Sequence, residues 1–122
     1  YYPAPAERFA VTKIAAAEGV DVVAELYFDL PYDDDGTIIL KRANEGADLA
    51  DTRHRLDHFL AKSEAISVND KKVKIGARSI CLHGDGPNAV DLAKTVGAGL
   101  KGKGYRLKAL APAPKLRKRA AE

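Results

Sequence analysis

The sequence predicts an α/β fold, and one that forms part of a β/α barrel rather than a finished sheet of its own. Two observations predict it. Helical and extended stretches alternate along the chain, in the order helix, strand, excursion, helix, hairpin, strand, helix. The two strongest strands, residues 22–28 and 78–83, also divide by parity into an apolar and a polar face, the polar one ending on a titratable side chain. Two or three parallel strands leave open edges that need cover, so a portion of a barrel suits the pattern better than a closed structure.

Residues 6–18 read as a helix with a partly apolar face, Phe9, Lys13 and Ala16 beside Ala10, Ile14 and Ala17, and Gly19 closes it. A strand over 22–28 follows. Asp33-Asp34-Asp35-Gly36 is a turn, with a short extended run over 37–40 and a loop over 44–48. Asp48 or Asp51 can cap a helix running to about Lys62, with Leu56, Phe59 and Leu60 on one face. Residues 66–68 and 73–75, around Asn69-Asp70, suggest a hairpin. After the strand at 78–83, Gly86 and Pro87 start a last helix with Ala89, Ala93, Val96 and Leu100 at core spacing. Gly97, Gly99, Gly102 and Gly104 should weaken its final turns, and residues 105–110 are a candidate further strand.

At 122 residues and 46% hydrophobic content the chain is one domain at most, with enough apolar material for a core. No stretch approaches the ~20 apolar residues of a membrane helix. The first residues lack the charged-then-apolar pattern of a signal peptide. They begin at Tyr1, and the sequence contains no Met. The single Cys81 excludes an internal disulfide and fits a reducing, cytoplasmic compartment; within Ser79-Ile80-Cys81-Leu82 it reads as a buried, inert thiol.

The net charge of +3 is unevenly spread. From Lys101 onward lie eight of the 20 basic residues and one of the 17 acidic ones, which leaves the first hundred residues at −4. Residues 1–110 therefore read as the folded unit and 111–122 as a basic, flexible tail. With no aromatic residue after Tyr105 to stack on bases, nucleic acid is not an expected partner.

Chemistry is expected at the C-terminal ends of the two strands, where parallel α/β folds bind ligands. Glu25, Tyr27 and Asp29 share one face of the first strand; Ser79, Cys81 and His83 share one face of the second. In His83-Gly84-Asp85-Gly86-Pro87-Asn88 a strand ends on a histidine, glycines allow a tight turn, and a helix N-terminus offers N–H groups to a carboxylate or phosphate. His83 can move a proton near neutral pH, and Asp85 can orient it, bind a metal or cap the helix. His54 and His58 have the spacing of a metal pair, but no third ligand accompanies them and solvent-facing histidines are the better reading. Asp33-Asp34-Asp35 is half of a calcium loop at most, and reads as a turn. No metal site is assigned.

These same residues carry a resemblance. Glu25, Tyr27, Asp29, Tyr32, Gly36 and Arg42 resemble the segment E-x-F-x-D-R-x-Y-x-x-x-G-x-L-x-x-R of the LamB/YcsF family, and residues 79–90 are similar to its T-I-C-V-H-G-D-T-P-G-A-V. Leu30 stands where that family has Arg, and the family's N-terminal motif D-x-N-x-D-x-G-E is absent. The resemblance implies the C-terminal half of a seven-stranded β/α barrel akin to the glycoside hydrolase/deacetylase barrels. It also implies ATP-dependent opening of 5-oxo-L-proline, or a related lactam, to L-glutamate together with 5-oxoprolinase B and C subunits. In that scheme His83, Asp85, Glu25 and Asp29 are the proton-handling candidates, and Arg42, Gly84, Gly86 and Asn88 would hold the substrate carboxylate or a phosphate. The chain alone is expected to be inactive without an N-terminal half, or a second copy, and its partners. Two other readings stand beside this one: a non-catalytic module that completes a partner's barrel, and a metal-dependent deacetylase-like hydrolase.

Overall fold

A computed structural model describes residues 10–43 and 45–109. The start of the expected first helix, the last residue of the expected final strand and the basic tail lie outside the described residues. The order of elements is α1 (Ala10–Ala17), β1 (Glu25–Tyr27), α2 (Leu49–Lys62), β2 (Glu64–Ile66), β3 (Lys72–Lys74), β4 (Ser79–Cys81) and α3 (Ala89–Gly102). This is the alternation the sequence predicts, with shorter strands.

β1 and β4 pair in parallel, Glu25 opposite Ser79, Leu26 opposite Ile80 and Tyr27 opposite Cys81. They form a two-stranded sheet of their own. Below it the apolar parity does what alternation demands: Leu26 and Phe28 are almost fully buried and join Leu56, Leu92, Val96 and Leu100 in one core. Phe28 meets Phe59 of α2 edge to face, with centroids 6.5 Å apart.

α2 starts at Asp48, whose carboxylate accepts from the N–H groups of Ala50 at 2.8 Å and Asp51 at 3.0 Å. Asp51 instead pairs with Arg55 one turn on, at 2.9 Å. The helix ends where Ser63 turns left-handed and donates its N–H to the Phe59 carbonyl. The hairpin β2–β3 pairs Glu64 with Lys74 and Ile66 with Lys72. Its turn falls at Asn69-Asp70 as expected, but the paired residues lie earlier than expected on each arm. Ser67 shapes the closing turn: its N–H donates to the Lys71 carbonyl, and its hydroxyl accepts the N–H groups of Asn69 and Lys71. Asp34 from the earlier turn accepts the Ser67 hydroxyl at 2.6 Å, which fastens the excursion after β1 to the hairpin.

Three expectations are corrected. The buried stripe of α3 is Leu92, Val96, Gly99 and Leu100, while Ala93 is exposed, because the larger Leu92 takes the inward phase. The glycines do not interrupt the helix, which runs through Gly102. At Gly99 a Cβ would stand 2.5 Å from Leu56 Cδ2, so the missing side chain is what lets α2 and α3 approach closely. Residues 105–109 form no strand: the Tyr105 N–H closes back on the Leu100 carbonyl, and Leu107 is exposed. α1 buries none of its residues and packs against no other described helix or strand.

Candidate active site

The polar parity of β1 and β4 meets at the strands' C-terminal end. Asp29 lies just past β1 and His83 just past β4, and the parallel register puts them side by side. Asp29 Oδ2 accepts the backbone N–H of His83 at 2.5 Å and lies 2.9 Å from its Nδ1. An oxygen that already accepts one N–H faces Nδ1 as an acceptor, so Nδ1 carries the proton and a neutral ring keeps its lone pair on Nε2. The ring stacks on Tyr27, with centroids 5.7 Å apart and planes within 12°. Asp29 sits behind with 3% of its side chain exposed; His83 sits in front with 42%. Asp29 Oδ1 is buried without a hydrogen-bond partner among the described residues.

Two contacts hold this frame. The Arg55 guanidinium of α2 donates to the Phe28 carbonyl at 3.1 Å, fixing the chain just before Asp29. The buried Tyr32 hydroxyl accepts the Tyr27 N–H at 2.9 Å. Below the pair, burial is the first cause that raises both the Tyr27 phenol and the Cys81 thiol above their ordinary values. The carboxylates of Glu25 and Asp29 push both the same way. Burial and the two carboxylates thus disfavour the Cys81 thiolate.

In front of His83 opens a cleft of about 230 Å³, lined by Asp29, Leu30, Lys41, Arg42, Glu45 and Asp85 among others. Lys41 and Arg42 make no ion pair among the described residues, so Asp29 is matched by the imidazole and not by either cation. A smaller cavity under Leu26 and Phe28 is part of the core.

Several expected site residues stand elsewhere. Glu25 is four residues back along the chain, where it accepts the Ser79 hydroxyl at 3.3 Å, and it is not among the residues lining the cleft. Asp85 lines the cleft, but the residue that orients His83 is Asp29. Gly84, Gly86 and Asn88 are not among the lining residues. Pro87 precedes the helix, Asn88 takes the N-cap position, and both amide atoms of Asn88 are spent on the backbone of Ala47. His58 is half-buried and 3.1 Å from Glu64, tying the end of α2 to β2, while His54 is exposed. Tyr27, read from the sequence only as sharing a face with Asp29, is the stacking partner of the imidazole, and Lys41, not assigned to the site from the sequence, joins Arg42 in the cleft wall.

The model of the LamB/YcsF family matches residues 4–115. The chain belongs to the LamB/YcsF family. A relative in Nitrobacter hamburgensis, named as the A subunit of 5-oxoprolinase, is 34% identical over 96 residues, covering 75% of this chain and 37% of that protein. A protein of the same name in Paracidovorax citrulli is 33% identical over 110 residues, covering 88% of this chain and 41% of that one. The chain thus spans about two-fifths of the length of the curated relatives it matches. Among solved structures, the lactam utilization protein of Thermus thermophilus superposes with a TM-score of 0.66 at 21% identity, over 82% of this chain and 40% of that one. That likeness establishes a shared mixed α/β fold. No described helix is long and apolar enough to cross a membrane.

Proposed function

We propose that this LamB/YcsF chain supplies the proton-handling rim of a cytoplasmic 5-oxoprolinase, as the closing strands and helices of a β/α barrel. The substrate would be 5-oxo-L-proline or a related lactam bearing a carboxylate. The observation that carries the reading is the Asp29–His83 pair, buried acid behind exposed imidazole, opening on a cleft with two cations in its wall. The relatives' designation as one lettered subunit among several supports a role inside a larger assembly with B and C subunits.

A lactam amide resists water because resonance drains its carbonyl of electrophilic character. ATP, as second substrate, would supply the activation by phosphorylating the lactam oxygen. Lys41 and Arg42 are the residues of this cleft whose charge suits a phosphate or the substrate carboxylate. The chain's own part is acid–base work. His83 Nε2 would take a proton from the attacking water, Asp29 would stabilise the imidazolium that forms, and the ring would return the proton to the departing ring nitrogen as the C–N bond breaks. A second water then hydrolyses the resulting acyl phosphate to L-glutamate and phosphate. Tyr27 keeps the imidazole plane fixed while this happens. Leu30 makes one wall apolar where the family pattern has Arg, so anion binding rests on Lys41 and Arg42.

The test is His83→Ala in the assembled enzyme, with the remaining barrel half and partner subunits restored. ATP-dependent glutamate release should fall ~100-fold or more with no change in thermal melting; a near-normal rate removes His83 from the mechanism. The 122-residue chain by itself should show no turnover, and glutamate release by it alone would overturn the assembly requirement. A binding-only module leaves the His83–Asp29 geometry without a purpose.

A further inference from the structure

The cleft wall that carries Lys41 and Arg42 belongs to no described helix or strand. Irregular backbone of this kind needs something to fix its position. Its ends are held by the Ile39 N–H on the Pro31 carbonyl and by the α2 cap at Asp48, and one side chain adds to these from 41 residues away. Asn88 Oδ1 accepts the Ala47 N–H at 3.0 Å, and its Nδ2 donates to the Ala47 carbonyl at 2.7 Å. A single amide therefore satisfies both polar groups of one backbone residue, as a neighbouring strand would.

Two further features show that the local sequence is fitted to this clasp. Gly46 has φ +91, and a Cβ there would stand 2.8 Å from Asn88 Oδ1 and 3.2 Å from Pro87 Cγ. The wall can reach the clasp only because residue 46 has no side chain. Asn88 also occupies the N-cap position of α3 yet makes no side-chain cap bond to that helix. An asparagine at this position ordinarily gives its oxygen to the first turn; here the loop receives it. The segment that presents the imidazole also carries the clasp, since Asn88 follows His83 by five positions. Asn88 and His83 thus stand on one short segment, to which Ala47 is tied by two hydrogen bonds.

We propose that Asn88 is a positioning residue that holds the Lys41–Arg42 wall over His83 and thereby sets the cleft's affinity for an anionic ligand. The clasp stands on geometry alone; the identity of the anion, a lactam carboxylate, rests on the function proposed above. The experiment has two arms. In the 122-residue chain, amide exchange is followed over residues 40–47 for wild type, Asn88→Gly, Asn88→Asp and Gly46→Ala. In the assembled enzyme, KM for 5-oxo-L-proline and kcat are measured for the same variants.

Asn88→Gly should speed exchange at Ala47 and along the wall about tenfold, the factor that ~1.4 kcal/mol carries, while Leu26 and Ile80 keep their protection. KM should rise by a similar factor, with kcat within about twofold. Asn88→Asp keeps one acceptor but turns a second oxygen on the Ala47 carbonyl, so it should open the clasp at least as far as Asn88→Gly. Gly46→Ala should open the same clasp from the other side. Unchanged exchange overturns the proposal. So does exchange that rises equally at Leu26 and Ile80, which would make Asn88 a support of the whole fold, or a fall in kcat at constant KM. Should the wild-type assembly fail to cleave 5-oxo-L-proline, the function proposed above falls and the exchange arm alone decides the clasp.

Discussion

The two faces of the β1–β4 pair are built from the same six paired residues and have opposite fates. On one, Leu26 with its neighbour Phe28 disappears beneath α2 and α3. On the other, Glu25, Tyr27, Ser79 and Cys81 stay half-buried and lead to Asp29 and His83 at the rim. The first face is stabilised by area removed from water, about 25 cal/mol per Å² of apolar surface. The second gains little of that and gathers negative charge, which the hydrogen bonds of Asp29 to His83 and of Glu25 to Ser79 keep in order. Stability and chemistry are thus divided by strand parity, and substitutions on the two faces should separate them.

The largest effect is expected on the packed face. Leu26→Ala should cost about 3 kcal/mol in urea unfolding; a loss under ~1 kcal/mol would show that this face is not the core. Next comes the crossing of the helices beneath. Gly99→Ala should cost about 1–2 kcal/mol, and Leu56→Val, which removes the methyl in its way, should recover part of that loss. Strict additivity of the two substitutions would refute the close approach.

On the open face His83→Ala should shift stability by no more than about 0.5 kcal/mol, although the same substitution should remove turnover from the assembled enzyme. A large loss of stability would mean that the imidazole is packing material. The smallest effect concerns the thiol. With its pKa raised by burial and then by Glu25 and Asp29, Cys81 should be alkylated slowly at pH 7, and Glu25→Gln should speed the reaction a few-fold by removing one of those charges. Because the folded chain raises the pKa of both Cys81 and Tyr27, their contribution to stability is fully present below the unfolded values. It is lost as pH climbs through the raised folded ones, an alkaline decline that starts near pH 9. Stability that instead rises with pH in that range would contradict the sign.

α1 and α3 show where sequence reading stops. Both are rich in small apolar residues, and both have a recognisable apolar side. Only α3 finds a partner, because Gly99 and Leu56 bring α2 against it; Ile14 of α1 stays exposed. Periodicity states which side of a helix can be buried, not whether anything is there to bury it.

The order of elements, the turn at Asn69-Asp70, a helix cap at Asp48 or Asp51 and the two strand parities were all legible in the sequence, because each depends on interactions within a few residues. So was the prospect that Asp29 and His83 belong to one rim. What the sequence left open was settled by contacts between distant segments. The register of β1 on β4 made Asp29, and not Asp85, the partner of the imidazole, and set Glu25 opposite Ser79, whose hydroxyl it accepts. The reach of Asn88 to Ala47 turned an expected anion ligand into a clasp. Local propensity fixes what each segment is; only the packed chain fixes which polar atoms meet, since those meetings depend on separations of 41 and 54 residues that no local pattern encodes.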